Sequence, residues 1–283
     1  MKYLILGKNG QLGNAFVKYL ANQKKNFSAL SHEECDISDL NIVLKVLEDY
    51  KPDIVINCAA YNLVDKAESE YWNAYKTNAL GVKNLAYACK EYNSYLITYS
   101  TDYVFDGTKE NGLYTEEDIP NPLNEYGKSK LTGENWLMEE NPEKYLIFRT
   151  SWVYGEGKQN FIYKLMQWTK NNDYLKIAYD EISVPTSTRT IVNVSLKAID
   201  KGLTGLFHLT NTEYASRYEW AKKIFEIKRI KKFIYPVSKD IFNLPAKRPK
   251  FSAMDNQKIS SMLDTNIPTW YEELGYIIKN IVI

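Results

Sequence analysis

The sequence predicts an α/β fold, in which helices cover both faces of a doubly wound parallel sheet and a smaller lobe follows in the C-terminal part. Over the first 150 residues, short apolar runs alternate with longer amphipathic segments. That alternation is typical of buried parallel strands and their crossover helices. Such crossovers are right-handed almost without exception, which makes the sheet doubly wound. Beyond residue 155 the alternation loosens, and this indicates the lobe.

Each element follows from a local pattern. Apolar runs, several of them β-branched, predict strands at residues 3–6, 27–30, 54–60, 95–100, 145–149 and 205–209. Ser38 or Asp39 caps a helix that ends before Pro52. Helical spacing predicts further helices at residues 11–22, 69–92, 126–140, 161–169 and 218–226. Prolines predict irregular stretches at positions 236, 245 and 249.

Composition excludes several classes of protein. The 36 basic and 35 acidic residues give a net charge of +1, whereas dedicated nucleic-acid binders carry a strong basic excess. Cys35, Cys58 and Cys89 form no CxxC pair, so we expect neither a disulfide framework nor a zinc site. The apolar run at the N-terminus is too short for a signal peptide, and no stretch is long enough to span a membrane. We therefore expect a cytoplasmic protein.

A glycine loop lies directly between the first strand and the first helix. Its glycines are Gly7, Gly10 and Gly13, in the spacing GxxGxxG. Glycine permits positive φ in the turn, lets a pyrophosphate approach the backbone, and lets helix and strand pack closely. The loop predicts a Rossmann-type dinucleotide site, with Gln11 and Leu12 at the start of the helix.

The length of 283 residues is near the upper limit for one hydrophobic core. We expect a dinucleotide-binding Rossmann domain at residues 1–155. Residues 156–283 are expected to form mainly a substrate-binding lobe, with some segments returning to the Rossmann domain. This C-terminal part is basic overall, which suits a diphosphate, although most of its lysines are expected on a solvated face.

The second strand carries the signal for cofactor choice. An acid at its end normally holds the ribose 2′-hydroxyl of NAD, but here no acid occurs before Glu33. The missing acid removes repulsion against a 2′-phosphate, and Lys8 of the glycine loop is a candidate to bind it. NADPH is the expected cofactor, and NADH stays open. Asp36 and Ile37 are candidates to line the adenine, with a helix-cap neighbour as the alternative for Asp36.

Tyr126 and Lys130 form a YxxxK pair on a predicted helix, where residues four apart share a face. An ammonium near a phenol favours the phenolate, so we expect Lys130 to lower the tyrosine pKa and also to hold the nicotinamide ribose. Thr101 follows a buried strand, where a hydroxyl faces the cofactor crevice. Ala59 and Ala60 end another strand, where small side chains admit the cofactor. These features predict a proton-transfer site.

With these motifs the chain resembles the extended short-chain dehydrogenases and, within them, the dTDP-4-dehydrorhamnose reductase family. The resemblance extends nearly end to end. It rests on the segments GKNGQLG (7–13), INCAAYNLVDKAE (56–68), STDYVFDG (100–107), NPLNEYGKSKLTGE (121–134), FRTSWVYG (148–155), VPTST (184–188) and RPKFSAMD (248–255).

The resemblance implies roles for individual residues. It implies that Tyr126, Lys130 and Thr101 are catalytic. It implies sugar contacts from Asp102, Tyr103 and Trp152. Arg248 is a candidate diphosphate contact, because a guanidinium binds phosphate bidentately. By the same resemblance, the cofactor-binding positions of the family correspond to Gly10, Gln11, Leu12, Asp36, Ile37, Ala59, Ala60 and Tyr61.

Two departures from the family pattern concern the lobe. The usual DQxGxPT is replaced by residues 180–186, DEISVPT, in which Ser183 stands for the glycine and is expected to reshape the loop. Some members hold a metal at a dimer interface through a carboxylate shortly after this PT, where this chain has Arg189. No metal is therefore expected, and a homodimer stays open.

The resemblance implies NAD(P)H-dependent reduction of the C4 ketone of dTDP-4-dehydro-L-rhamnose, the last step toward dTDP-L-rhamnose. The expected partner is a nucleotide sugar, and neither nucleic acid nor membrane is expected. Two alternatives remain. One is a reductase or epimerase of another nucleotide 4-keto sugar. The other is a non-catalytic NADP-binding regulatory subunit, which the complete set Thr101, Tyr126 and Lys130 disfavours.

Overall fold

A computed structural model describes residues 1–141 and 143–280 of the chain. The strands are β1 Lys2–Leu6, β2 Asn26–Leu30, β3 Ile54–Asn57, β4 Tyr95–Thr101, β5 Tyr145–Thr150, β6 Val153–Tyr154, β7 Tyr174–Ala178, β8 Ile182–Ser183, β9 Thr186–Ser187, β10 Gly205–His208, β11 Ala215–Ser216 and β12 Phe233–Val237. The helices are α1 Gln11–Asn22, α2 Leu40–Tyr50, α3 Val64–Ala67, α4 Tyr71–Tyr75, α5 Gly81–Glu91, α6 Glu125–Glu140, α7 Phe161–Asn171, α8 Thr188–Asp200, α9 Arg217–Lys228, α10 Gln257–Met262 and α11 Trp270–Asn280.

The predicted parallel sheet is confirmed. Across residues 1–141 and 143–280 it is six-stranded, in the order β10-β5-β4-β3-β1-β2, and every neighbouring pair is parallel. The chain moves outward from β1 to β2 on one side and from β1 through β3 to β5 on the other. The order therefore reverses beside β1, and ligands of open α/β sheets bind at such a switch point.

Alternate residues of each strand fill two hydrophobic cores, one on each face of the sheet. On one face, Tyr3 and Ile5 of β1 pack with residues of α1 and α8. On the other face, Leu4 and Leu6 pack with residues of α2 and α5. The doubly wound arrangement follows from this two-sided burial, since a parallel strand needs cover on both faces.

A third core belongs to the C-terminal part and to the segment after β5. It is built around Trp152 and Trp220, which stack with ring centroids 5.6 Å apart. Segments beyond residue 155 also join the main sheet, because β10 pairs with β5 and α8 packs against α1.

Several predicted elements differ in detail. The helix expected at residues 69–92 is divided into α4, a π-helical turn at Lys76–Leu80, and α5. Helix α8 was not predicted. The expectation of an irregular stretch at Pro236 is wrong, since this proline lies in β12, an exposed strand of a two-stranded sheet. Proline is tolerated there because an edge strand leaves one row of its amides unpaired. No helix of the described residues is long and apolar enough to cross a membrane.

Two helical glycines give a matched test of packing around α6. A Cβ atom on Gly133 would lie 2.1 Å from the Asn78 carbonyl oxygen, whereas one on Gly275 in α11 would meet nothing within 4 Å. We expect Gly133→Ala to lower the free energy of unfolding by about 1–3 kcal/mol or more. Gly275→Ala should raise it by about 0.5–1 kcal/mol through helix propensity. Urea denaturation of both variants measures this, and equal effects would contradict the packing.

Candidate active site

The glycine loop lies at the switch point, against the end of β3. Gly7 has φ +80°, and a Cβ atom there would lie 2.8 Å from the Ala59 nitrogen. A Cβ atom on Gly13 would lie 2.2 Å from the Gly7 carbonyl oxygen. Gly10 caps α1 without any side-chain hydrogen bond to its first amides. The loop therefore presents unshared amide donors at a helix N-terminus, and this fits a pyrophosphate.

The side chain of Gln11 faces the segment that follows β6. Its Nε2 donates to the Val153 carbonyl at 3.1 Å, and its Oε1 accepts from Nδ2 of Asn160 at 2.7 Å. Leu12 packs against the core on the α1 face of the sheet. The backbone amides of these residues lie in the first turn of α1, where the sequence predicts the cofactor.

The predicted adenine residues lie beyond β2. Asp36 Oδ1 accepts from the nitrogen and the hydroxyl of Ser38, at 3.0 and 2.6 Å. Asp39 is the cap of α2, and it accepts from two amides of the first turn. Asp36 therefore orders the turn before that helix. Ile37 is buried, and its side chain would collide with a Cβ atom on Gly81.

The end of β2 holds an acid that the sequence reasoning did not weigh. Glu34, rather than Glu33, pairs with Lys8 of the glycine loop, with Nζ 2.6 Å from Oε2. The hydrogen bond from Lys8, together with the Ser31 amide, lowers the pKa of the Glu34 carboxyl to about 2. Lys8, the candidate for a 2′-phosphate, thus already carries a carboxylate partner in this structure.

Residues after β3 form the opposite wall of the crevice. The Ala59 amide donates to Oδ1 of Asn57 at 3.1 Å, and Ala60 follows. The backbone of Tyr61 pairs with the Asn78 amide group, and its hydroxyl donates to Oε2 of Glu70 at 2.7 Å. The Glu70 carboxylate therefore fixes the side chain of Tyr61.

The structure brings the three predicted catalytic residues to this edge of the sheet. Thr101 ends β4, and Tyr126 and Lys130 lie in the first turns of α6, which Asn124 caps through the Gly127 amide. The Lys130 ammonium is buried and donates to the Tyr99 carbonyl at 2.5 Å. Burial lowers the pKa of Lys130 to about 8, because desolvation disfavours the charged form.

Tyr126 differs from expectation in its pKa. Burial of the phenol raises that pKa to about 12, and a hydrogen bond with Thr101 opposes the rise only in part. The expected lowering by Lys130 does not occur here, since the Lys130 ammonium is directed to the Tyr99 carbonyl. The Tyr126 hydroxyl lies 3.5 Å from Oδ1 of Asn62, and its ring meets the Tyr103 ring edge-on.

The two residues after Thr101 are buried. Asp102 is 2% exposed, and burial raises the pKa of its carboxyl to about 6. The hydroxyl of Tyr103 donates to Oε1 of Glu181 at 3.4 Å. Glu181 also accepts from Arg217, whose Nη2 lies 3.1 Å from Oε1. Sequence reasoning missed Arg217, because nothing near it in the chain marks it as part of the site.

A cleft of about 1710 Å³ opens between the sheet edge and the lobe. Trp152, with φ +43°, lies in its wall, and the Arg217 guanidinium lies 3.5 Å from the centre of its ring. Arg248 also lines the cleft, but its two terminal nitrogens donate to both oxygens of Asp65, at 3.0 and 2.8 Å. The Asp65 carboxylate thus holds the Arg248 guanidinium in a fixed position on the cleft wall.

The loop with the altered family pattern keeps ordinary backbone geometry. Ser183 is not among the residues with positive φ, and it lies in β8, which pairs with β11. Arg189 forms a bidentate pair with the buried Glu273, at 2.7 and 2.5 Å. Within residues 1–141 and 143–280, no group of three or more His, Cys, Asp or Glu side chains could hold a metal ion.

A buried ion pair holds α6 against the sheet. Glu134 of α6 accepts from Arg149 of β5, with Nη2 2.7 Å from Oε2, and the two side chains are 2% and 4% exposed. Bidentate geometry of this kind fixes orientation as well as distance. The pair therefore sets the position of the helix that carries Tyr126 and Lys130.

Removing one partner of this pair should be costly. We expect Glu134→Ala to lower the free energy of unfolding by about 3–5 kcal/mol, because the Arg149 guanidinium stays buried without its carboxylate. Lys128→Ala is the matched control, since it removes an exposed pair with Glu125 on the same helix. That change should cost about 0.5 kcal/mol or less. Urea denaturation compares the two, and similar losses would refute a structural role for the buried pair.

Comparisons with known proteins identify the family of the chain. The family model described as RmlD substrate binding domain matches residues 1–283. The dTDP-4-dehydrorhamnose reductase of Aggregatibacter actinomycetemcomitans is 36% identical over 289 residues, which cover 98% of this chain and 98% of that protein.

Solved structures give the same result. The dTDP-4-dehydrorhamnose reductase of Clostridium acetobutylicum is 40% identical, with a TM-score of 0.94 and 99% of each chain covered. The Bacillus anthracis dTDP-4-dehydrorhamnose reductase, solved in complex with NADP, is 34% identical, also with a TM-score of 0.94 and 99% of each chain covered. The chain therefore belongs to the family of the RmlD substrate binding domain, that of the dTDP-4-dehydrorhamnose reductases.

Proposed function

We propose that this protein reduces the C4 ketone of dTDP-4-dehydro-L-rhamnose to dTDP-L-rhamnose with NADPH. The observation that carries the proposal is that Tyr126 hydrogen-bonds to Thr101 at the end of β4, while Lys130 of the same helix donates to the Tyr99 carbonyl of that strand. The reductase names of the relatives and the NADP complex of the Bacillus anthracis protein support the substrate and the cofactor.

Bound NADPH supplies the hydride for the ketone carbon. Tyr126 supplies the proton: with a pKa near 12 its phenol is fully protonated at neutral pH, so it acts as the acid toward the nascent alkoxide. Thr101 offers its hydroxyl to the ketone oxygen and fixes the orientation of the sugar. Lys130, held against the Tyr99 carbonyl on the same helix as Tyr126, would hold the nicotinamide ribose.

Cofactor binding and substrate binding are proposed for successive parts of the chain. Residues 1–155 are proposed to bind the cofactor, and residues 156–283 to contribute most of the substrate lobe, together with Trp152, Asp102 and Tyr103. Arg217 joins Arg248 as a proposed contact for the anionic part of the substrate, because both guanidinium groups line the cleft. A cytoplasmic location and a homodimer belong to the same proposal, and sedimentation equilibrium tests the second.

Replacing Tyr126 with Phe tests the assignment of the acid. We expect Tyr126→Phe to lower kcat by about 100-fold or more, since a positioned proton donor contributes about 10²–10⁴-fold. The Kd for NADPH should change little, because the substitution removes only a hydroxyl. NADPH absorbance with dTDP-4-dehydro-L-rhamnose measures turnover, and protein fluorescence measures cofactor binding. Full activity in this variant would rule out Tyr126 as the donor.

Wild-type protein assayed with a panel of dTDP-, GDP- and UDP-linked 4-keto sugars tests the substrate. We expect the highest kcat/KM with the dTDP sugar. NADPH oxidation only with a GDP- or UDP-linked sugar would overturn the proposed substrate. The absence of oxidation with every sugar, together with tight NADPH binding, would support a non-catalytic role.

Lys130 predicts a pH dependence. Its pKa lies below the ordinary lysine value, at about 8, so the ammonium is present below that pH and is lost as the pH rises through it. We expect kcat/KM for NADPH to fall above about pH 8, because this ratio reports groups of the free enzyme. Lys130→Arg, which stays cationic, should remove this alkaline limb even if its activity is lower. An unchanged limb in the variant would assign it to another group.

A further inference from the structure

The carboxylate of Asp102 is buried, and the positive charge of Arg217 acts on it from beyond ion-pair distance. No lysine or arginine forms an ion pair with it among residues 1–141 and 143–280. Its hydrogen bonds come instead from hydroxyl groups: Ser183 and Ser252 donate to Oδ2 at 2.8 and 2.6 Å, and Thr101 donates to Oδ1 at 3.2 Å. A buried carboxylate is tolerated only when such donors compensate it.

Two separate segments of the C-terminal part supply the serines. Ser183 lies in β8, and Ser252 lies some seventy residues further along the chain. Their backbones are joined, because the Ser252 amide donates to the Ile182 carbonyl and the Ile182 amide to the Lys250 carbonyl, both at 2.9 Å. Both serine hydroxyls then converge on one oxygen of a residue at the end of β4. Asp102 thus binds this joined pair of segments to the catalytic edge.

The other oxygen of Asp102 reaches the catalytic threonine. Thr101 donates its single hydroxyl proton to Oδ1 of Asp102, in the longest of the three hydrogen bonds to that carboxylate. The Thr101 oxygen also accepts from the Tyr103 amide at 3.1 Å. Because the two serine hydroxyls donate to Oδ2, the carboxylate attracts the Thr101 proton less strongly. That proton can then be shared with a ketone oxygen.

We propose that Asp102 is a positioning residue: held by Ser183 and Ser252, it sets the Thr101 hydroxyl beside Tyr126 and makes this setting depend on the docked C-terminal segments. The inference rests on the proposed reductase function, because Thr101 matters only if it orients a ketone. It assigns Asp102 a task in addition to the proposed sugar contact, and a side chain that is 2% exposed can perform this task.

Serine variants test the proposal. Ser183→Ala and Ser252→Ala should each lower kcat about tenfold, the loss typical of one hydrogen bond to a charged group. KM for the sugar and the Kd for NADPH should change by less than about twofold. Ser151→Ala is the matched control, since Ser151 is also buried but donates to the Val184 carbonyl at 2.6 Å. Its kcat should stay near the wild-type value.

Asp102→Asn adds a pH readout. Burial raises the pKa of Asp102 to about 6, so the carboxylate protonates as the pH falls through that value. Wild-type kcat should therefore fall below about pH 6, and the asparagine variant should lose this acid limb. In the asparagine background, Ser183→Ala should have no further effect. The charged and titratable groups that act on Asp102 or pack around it are Arg217, Tyr103, Tyr126 and Glu181.

Hydrogen exchange separates this inference from the reductase proposal. The Tyr103 amide bonds to the Thr101 hydroxyl oxygen, so its exchange rate reports the position of that hydroxyl without any turnover. Exchange at Tyr103 should accelerate in Ser183→Ala and Asp102→Asn but not in Ser151→Ala. If the wild-type protein reduces no sugar, the reductase proposal fails and this measurement still decides the positioning role. Equal behaviour of the Ser183 and Ser151 variants in both kcat and exchange overturns it.

Discussion

The parallel register of β1, β3 and β4 is the constraint on which the site depends. Leu6 pairs with Asn57, and Asn57 pairs with Thr98, so the three strands end at one edge within a few residues of each other. The glycine loop, the β3 end and Thr101 are therefore neighbours, although they are far apart in the chain. A shift of one residue in this register would turn every side chain to the opposite face.

Burial then gives the groups at this edge their chemistry. Desolvation disfavours the charged form of each, so it raises the pKa of Tyr126 and Asp102 and lowers that of Lys130. One physical cause thus yields a phenol that keeps its proton, an ammonium that titrates near pH 8 and a carboxyl that titrates near pH 6. The protonation state of the proposed donor, Tyr126, is thus set by burial rather than by a partner cation.

Local sequence patterns predict the parts of the site that are built from neighbouring residues. The glycine loop and the Tyr126–Lys130 pair each lie within one turn or one helix, so spacing alone reveals them. The roles of three residues could not be predicted, because their partners are distant in the chain or across a loop. These residues are Glu34, Ser183 and Arg217. The pKa of Tyr126 could not be predicted for the same reason, since burial is a property of the packed fold.

The charge of the cleft follows from the same long-range pairing. Both of its arginines carry carboxylate partners, Arg217 with Glu181 and Arg248 with Asp65, so each guanidinium is held rigidly but contributes little net charge. Asp106, Asp173 and Asp240, which also line the cleft, offset part of the remaining charge and leave a net of +2 (5 − 3). The positive charge that attracts an anion at longer range, and that salt screens, is thus carried by the lysines. Among the described residues that line the cleft, these are Lys164, Lys176, Lys239, Lys247 and Lys250. The lysines thus attract an anionic substrate, and the arginines orient it. The basic excess of the C-terminal sequence accounts only for the attraction.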